Sequence, residues 1–411
     1  MKTIKMSLAA VMAATVATTG ASANMLEEII SNPQLDIEIR PRYEYVDQDN
    51  ALDEAKALTV RTAIGVKMGL FGVEGLNAQL QGMSVDNFGW VDDYNAKSEG
   101  DPDYSVVADP TQARITQANL TYTYEGFTGI LGRKMVVLDN ARFIGNVGWR
   151  QMPQTYDLVA GIYNWEGLNL LAAYVSQVNT ILSNDSENFN TNTVLLHAAY
   201  EFMPELKVTV YDYMVASFAD HIGIRATGTF GFEGDIKLKY QAEYTIQNDA
   251  TMEEDDDGKP DQDTDYYNIA ADVLWNNFTI GAGYEVLGAA GDDGVAFTTP
   301  LATLHAHNGW ADVFLGTPAE GLEDFSVKLA YNFGEYGKIM GVYHMFTSDD
   351  DNTAGDDDLG DEIDVAYNYK ITKDLGLLLK GAWYSEGDDS FGKVDTDKYW
   401  VQLDYKFHSE L

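Results

Sequence analysis

Apolar and polar residues alternate along eighteen segments of the chain, from the region of Leu35 to Phe407. Alternation with a period of two predicts β-strands that have one apolar face and one polar face. The first segment places these side chains on opposite faces: Leu35, Ile37, Ile39, Tyr43 and Tyr45 against Asp36, Glu38, Arg40, Arg42 and Glu44. Segments of about ten residues are long enough to cross the apolar band of an outer-membrane barrel.

The connections between the segments alternate between tight turns and long polar loops. Glu125-Gly126 and Glu166-Gly167 are tight turns, whereas 85–113 and 289–323 are long, and one short link near 216–219 breaks the contrast. This sorting gathers the turns at one rim and the loops at the other, which a soluble sandwich does not require. The expected fold is therefore all-β, a transmembrane antiparallel β-barrel with short periplasmic turns and long extracellular loops.

The expected number of strands is eighteen, and sixteen is the alternative. The phase of the alternation is blurred in two of the segments, at 129–135 and 206–213. If these two segments do not cross the sheet, the barrel has sixteen strands.

The N-terminus reads as a secretory signal peptide. Lys2 and Lys5 precede an apolar stretch, and Gly20-Ala21-Ser22-Ala23 offers an A-x-A cleavage site. We expect a signal peptide at 1–23 and a single barrel domain at 24–411. No later stretch has 18 consecutive apolar residues, and cysteine is absent. These features predict an exported protein in the outer membrane of a Gram-negative bacterium.

Charge is distributed unevenly between the long connections and the strands. The chain has 65 acidic and 26 basic residues, for a net charge of −39. Acids concentrate at 249–265 and 348–361, while many basic residues share the polar face of the strands. That face predicts a charge ladder along the lumen: Arg40, Arg42, Glu44, Arg61, Lys67, Lys237 and Lys239.

The acidic loops have two interpretations. Clustered carboxylates suit Ca²⁺ or Mg²⁺, but the run from Asp350 to Asp361 places Ala354 where a ligand belongs. A solvated surface beside outer-membrane lipid and lipopolysaccharide counter-ions is the preferred interpretation. We expect no metal site and no cofactor. We also expect no nucleic-acid partner, because the loops lack a basic patch.

One long connection, 136–154, differs from the other loops because it has few acids and because four bases lie within the 18 residues 133–150. We expect this third loop to fold into the barrel and to narrow the pore, since a barrel of this size has a wide aqueous interior. Guanidinium groups suit anion recognition because they stay charged and donate bidentately. The candidate constriction residues are Arg133, Arg142, Arg150, Asp139, Trp149 and Tyr156.

A structural role for the same arginines stays open beside the selective one. They can pair with neighbouring acids to stiffen the wall and to fix the loop in place. The acids considered for this role are Asp36, Glu38, Glu44, Asp139 and Asp157.

Two motifs resemble segments of alginate-export-like outer-membrane porins. They are "RFIGNVGWRQMPQTYD" within 139–157 and "FTTPLATLHAHNGWADVFLGTPAEGL" at 297–322. The "PQTYD" ending is similar, more distantly, to the constriction loop of substrate-specific 18-stranded porins. This resemblance implies a channel with an arginine-bearing constriction that passes anionic or small polar solutes.

The sequence shows no catalytic motif. It lacks Gly-x-Ser-x-Gly and His-Glu-x-x-His, and His305 and His307 are expected to serve loop packing. We therefore expect a passive porin rather than an enzyme, with a homotrimer as an open possibility. The alternatives are a structural or adhesive barrel with a blocked lumen and an outer-membrane hydrolase.

Overall fold

The computed structural model describes residues 29–182, 188–251, 262–291 and 294–410. The predicted signal peptide, its cleavage point and the centre of the acidic connection near 256 lie outside the described residues. The part of the chain that is described forms nineteen strands: β1 Ile30–Gln48, β2 Ala55–Leu70, β3 Leu76–Asp86, β4 Asp92–Asp93, β5 Gln112–Tyr124, β6 Phe127–Lys134, β7 Thr155–Trp165, β8 Leu168–Asn179, β9 Phe189–Met203, β10 Leu206–Val215, β11 Ala219–Gly231, β12 Ile236–Asn248, β13 Thr264–Trp275, β14 Phe278–Leu287, β15 Leu322–Asn332, β16 Lys338–Thr347, β17 Asp358–Lys370, β18 Leu375–Ser385 and β19 Thr396–Glu410.

Eighteen of these strands form one closed antiparallel sheet. Each strand pairs with its neighbours along the chain, and β1 closes the barrel by pairing with both β2 and β19. The remaining strand, β4, has two residues and pairs with the loop end of β2. The prediction of an 18-stranded barrel is confirmed, and the alternative of sixteen is wrong because β6 and β10 both pair on two sides.

The blurred phase of β6 has a local cause at Gly132. This residue has a φ of 118°, and a Cβ placed there would lie 2.3 Å from the carbonyl oxygen of Ala118. Only glycine tolerates both the backbone angle and the close approach. The strand therefore stays in the sheet although its side-chain pattern is weak.

The two faces of the sheet follow the alternation of the sequence. Arg42 and Glu44 are each 1% exposed in the barrel interior. Large apolar side chains occupy the outer face, and aromatic ones gather beside the tight turns. Exposed aromatic residues at the turn ends include Tyr122, Tyr124, Tyr200, Phe202, Trp275 and Phe333.

Two long connections place buried side chains inside the barrel. Loop 3 (135–154) joins β6 to β7, and loop 7 (288–321) joins β14 to β15. The Gly145 amide donates to the Leu301 carbonyl at 2.8 Å, and the Thr303 amide donates to the Ala141 carbonyl at 2.9 Å. These bonds join the two loops into one unit.

An apolar core holds that unit against the inner wall. Phe143 of loop 3 meets Tyr266 of β13 and Phe297 of loop 7 edge-on, with ring centroids 5.5 and 6.1 Å apart. All three side chains are less than 10% exposed. Burying each aromatic ring stabilises the loops by about 2 kcal/mol.

Helical structure is minor. The described residues form three 3₁₀ turns, at Leu304–Ala306, Gly334–Tyr336 and Asp389–Phe391. Within the described ranges, no helix has the length and apolar character needed to span a membrane.

Closure of the barrel can be tested with a cysteine pair, because the chain has no cysteine of its own. Tyr45 on β1 and Tyr399 on β19 face each other in register, with ring centroids 5.9 Å apart. We expect Tyr45→Cys with Tyr399→Cys to form a disulfide in the folded protein, since facing residues have the separation that this bond needs. A mobility shift on non-reducing gels measures it.

The matched control combines Tyr45→Cys with Phe407→Cys. Phe407 lies eight positions further along β19, roughly 26 Å away. Equal cross-linking of both pairs would contradict the register of closure.

Candidate constriction inside the barrel

Arg150 of loop 3 lies at the centre of a buried ionic cluster. Its Nη1 lies 3.1 Å from Oε1 of Glu44 on β1, and its Nη2 lies 3.0 Å from Oδ2 of Asp312 on loop 7. Asp109, from the connection between β3 and β5, lies 3.7 Å away. Arg150 therefore joins loop 3 to the wall, to loop 7 and to a third connection.

Arg142 makes a second such junction further along the inner wall. Its Nε lies 3.1 Å from Oε1 of Glu285 on β14, and its Nη2 donates to Oδ1 of Asn308 on loop 7 at 3.1 Å. Asn308 in turn donates to Glu285 at 2.7 Å and to Asp324 on β15 at 3.2 Å. The guanidinium is almost fully buried, so its charge is committed to this network.

Three arginines of the predicted lumen ladder hold the backbone of loop 3. Nη1 of Arg40 donates to the carbonyl of Gly148 at 3.1 Å, and Nη1 of Arg42 donates to that of Trp149 at 2.6 Å. Nη1 of Arg61 lies 3.5 Å from the carbonyl of Gln151.

Each of these three arginines also meets an acid. Arg40 pairs with Asp404 at 2.8 Å, Arg42 pairs with Asp109 at 2.6 Å, and Arg61 forms an ion pair with Glu38. A buried guanidinium needs such partners, because an unpaired buried charge is strongly unfavourable. The upper part of the ladder therefore anchors a loop.

The lysines of the ladder have a different environment. Lys67, Lys237 and Lys239 are exposed, and no ion pair is recorded for them among the described residues. All three lie on the polar, inward face of their strands, between the loops and the tight turns. Lys239 lines a cavity of the inner wall.

Trp149 belongs to an aromatic cage around a lysine that the sequence did not suggest. Nζ of Lys380, on β18, lies 3.8 Å from the ring centroid of Trp310, 4.1 Å from that of Trp149 and 5.2 Å from that of Trp400. Stacking with His305 at 4.3 Å fixes the Trp149 ring. The negative faces of the indoles stabilise the ammonium group without a carboxylate in the cage.

His305 connects the cage to Asp312. Its Nε2 accepts a hydrogen bond from the Lys380 ammonium at 2.7 Å, so its Nδ1 carries the ring proton and donates to Asp312 Oδ1 at 2.6 Å. Burial lowers the pKa of His305 well below its usual value. Burial also opposes ionisation of Asp312, but His305, Lys398 and Arg150 hold its pKa well below the usual range.

Three candidate residues occupy positions other than the one expected. Asp139 pairs with His197 of β9 at 3.1 Å, and Tyr156 is fully buried and donates to the Gly145 carbonyl at 2.7 Å. Both fix loop 3 rather than line the pore. Arg133 faces Ala118 and Asp157 across its strand pairs.

The expectation that Arg133 joins the constriction is therefore corrected. Opposed residues of antiparallel strands share a face, and Ala118 is exposed on the same face as Leu120 and Leu131. Arg133 binds Asp157 through two hydrogen bonds of 2.7 and 2.8 Å on this outer face. It does not join Arg142 and Arg150.

Loop 7 is the part of the site that sequence reasoning missed. The Ala311 amide donates to Glu362 at 2.7 Å, and the Trp310 amide donates to Asp364 at 3.2 Å, which fixes the loop to β17. A usable signal was present, because 295–322 has only two acids, Asp312 and Glu320, in an otherwise acidic set of loops.

Two cavities lie on opposite sides of the loop 7 segment 305–312. The upper cavity, about 610 Å³, is bordered by several long connections, and the lower cavity, about 540 Å³, lies against β12 to β16. The ionisable residues that line the upper cavity are Lys97, Arg150, His305, Asp312, Lys393 and Lys398. In the part of the chain that is described, no group of three acids, histidines or cysteines could hold a metal ion.

Comparisons with known proteins identify the fold. No family model and no curated protein matches the chain. Solved structures do match: OccK9 (OpdG) of Pseudomonas aeruginosa, with a TM-score of 0.73 and 17% identity over 92% of this chain and 98% of that one, and OccAB4 of Acinetobacter baumannii, with 0.70 and 14% over 92% and 99%. OpdK of Pseudomonas aeruginosa, solved with vanillate, gives 0.72 and 14% over 93% and 100%.

At these identities the matches show the fold alone, and the more distant resemblance seen in the sequence, to 18-stranded porins, agrees with them at that level. The resemblance to alginate-export-like porins gains no support from the comparisons.

The junction at Arg142 can be tested by hydrogen exchange. Arg142→Ala leaves Glu285 as an uncompensated buried charge, which costs about 3 kcal/mol. We expect the amides of Gly145 and Thr303, which join loops 3 and 7, to exchange about 100-fold faster. Mass spectrometry of peptides from the detergent-solubilised protein measures this, with Lys373→Ala, whose side chain is 88% exposed, as the control. Unchanged protection would contradict the junction.

Acidification tests the burial of loop 7. Burial, with Arg142 nearby, lowers the pKa of His307 to about 4. The unfolded chain then binds the proton more readily than the folded one, so stability is lost as the pH falls from about 7 toward 4. Between about pH 7.5 and pH 5.5 we expect a loss of roughly 1 kcal/mol from this group.

Melting temperatures at these two pH values measure the effect. The melting temperature of His307→Gln should decrease less between the two pH values than that of the wild type. The melting temperature of His408→Gln, which changes an exposed strand end, should decrease as much as that of the wild type. Equal decreases in all three proteins would show that His307 does not contribute.

Proposed function

We propose that this protein is an outer-membrane porin of a Gram-negative bacterium, a passive diffusion channel for small hydrophilic solutes with a mild preference for anions. It works without cofactor or energy input. The observation that carries the proposal is the upper cavity, where four lysine and arginine side chains and one acid meet in a chain with net charge −39.

The closed barrel supports this function. An apolar outer face and a polar inner face suit a bilayer outside and water within. The similarity to Occ and Opd structures supports the same fold for this chain, and the predicted signal peptide fits export. The lysines below the loops offer a passing anion further positive charge.

We propose that the constriction is made by loop 7 together with the predicted third loop, 136–154. Arg150 lines the upper cavity, whereas Arg142 is committed to Glu285. The two arginines therefore have different roles: Arg150 borders the pathway in addition to joining loop 3 to Glu44 and Asp312, whereas Arg142 only holds the loops in place. This division combines the selective and the structural interpretation of the sequence.

A second candidate is a structural barrel with a blocked lumen. The apolar cluster that includes Phe143, Phe297 and Leu301 packs loops 3 and 7 tightly against the wall. Such packing is what a permanent plug requires. Conductance separates the two functions, because a plugged barrel gives no discrete current steps.

Two further properties belong to the proposal. We propose that the acidic outer loops contact lipopolysaccharide and its counter-ions and that the outer apolar face contacts lipid. Assembly into a homotrimer is compatible with a single-chain barrel and is measured by the mass of the detergent complex.

Ion selectivity tests the porin proposal. Charges that line a narrow pathway set selectivity, so Arg150→Ala should reduce the ratio of anion to cation permeability roughly twofold or more, and Arg142→Ala should reduce it less. The reversal potential of the purified protein in a planar bilayer under a KCl gradient measures this ratio, with Lys373→Ala as the control.

Absence of current steps in the wild type would favour the plugged barrel. A conducting wild type whose cation preference is unaffected by both arginine substitutions would contradict the anion filter, because the acidic loops would then set selectivity.

A further inference from the structure

Asp312 is the one acidic residue among the described residues that line the upper cavity. Its Oδ2 lies 3.0 Å from Nη2 of Arg150 and 3.2 Å from Nζ of Lys398, and its Oδ1 accepts from Nδ1 of His305 at 2.6 Å. The side chain is 4% exposed. One carboxylate therefore uses donors from loop 3, loop 7 and β19.

These donors are arranged around Asp312 in the way that a bound anion requires. Arg150 has Glu44 and Asp109 on its other side, but Asp312 is the acid recorded within ion-pair distance of Lys398. Removing the Asp312 carboxylate leaves Lys398 and one edge of the Arg150 guanidinium facing the cavity. A free carboxylate fits the same donors, because it has the same geometry as the one that it replaces.

The backbone conformation of Asp312 is imposed by the way loop 7 is held. Its φ is 60°, a left-handed conformation that costs a non-glycine residue free energy and that aspartate and asparagine tolerate better than most. The hydrogen bonds of the neighbouring amides to Glu362 and Asp364 hold loop 7 against the wall at this point. The carboxylate is thus presented to the cluster by a loop, not by the barrel itself.

We infer that the Asp312 carboxylate occupies the anion-binding position of the upper cavity, and that a small permeating anion displaces it from Arg150 and Lys398. The inference rests on the proposed function. Asp312 acts as a tethered competitor, whose local concentration is in the mM range or above. It weakens the binding of a passing anion, which a channel needs because a tightly held ion does not leave.

Acetate is the probe that tests this inference. Asp312→Asn keeps the size and the tolerated backbone conformation of the side chain but removes the competing charge. In the planar bilayer, we expect acetate to inhibit the chloride current of this variant at a concentration about tenfold lower than in the wild type. The reversal potential of this variant under a KCl gradient should also shift toward the equilibrium potential of chloride.

The matched control is Asp351→Asn, which removes one negative charge from the exposed connection after β16. It should behave as the wild type does. An equal response of both variants to acetate would overturn the inference, because the effect would then come from net charge alone.

A second variant covers a failure of Asp312→Asn to fold. Lys398→Gln removes one donor and leaves Arg150 and His305, so acetate should inhibit it more weakly than the wild type. An unchanged inhibition overturns the inference.

If the wild type does not conduct, the proposed function fails while the inference is still measurable. Acetate should then raise the melting temperature of Asp312→Asn more than that of Asp351→Asn, and equal shifts would overturn it.

Discussion

The constraint on which this structure depends is that every backbone polar group of a membrane-facing sheet needs a partner within the protein. An open edge would leave a row of unpaired amides and carbonyls, so the sheet must close. Closure is made between β1 and β19. The same constraint applies to loops 3 and 7, because segments that leave the aqueous rim and pack inside lose the water that would otherwise hydrogen bond to their backbone.

The inner wall meets this requirement with charged side chains. Arg40, Arg42 and Arg61 donate to three backbone carbonyls of loop 3. Glu362 and Asp364 accept hydrogen bonds from two backbone amides of loop 7. Charged groups hydrogen bond more strongly than neutral ones, so a few of them hold two long segments in place. A ladder that faces the lumen is therefore in part an anchoring surface, and only the charges that border a cavity remain for a solute.

The alternation of residue types was enough to predict the barrel and the face of Arg42 and Glu44, and it favoured eighteen strands over sixteen. It was not enough for the site, because the contacts that build it join distant positions. Arg150 meets Asp312, and Lys380 meets Trp149 and Trp310, across separations that no local pattern encodes. Arg133 was misplaced for a different reason: Gly132 weakens the pattern of β6, so the outward phase that Arg133 shares with Leu131 was hard to recognise.

Most positive charges near the loops are paired directly with carboxylates, whereas the Lys380 ammonium contacts three indole rings. An ion pair stabilises a buried cation by adding an equal negative charge, which removes the field that an anion in the lumen would experience. Three indole faces stabilise the ammonium group through their quadrupoles and add no negative charge of their own. Carboxylates still surround the cage, because His305 links it to Asp312, and Glu362 and Asp364 hold the adjoining amides of loop 7. The aromatic residues therefore allow a lysine to pack between loop 3, loop 7 and the inner wall without a direct ion pair.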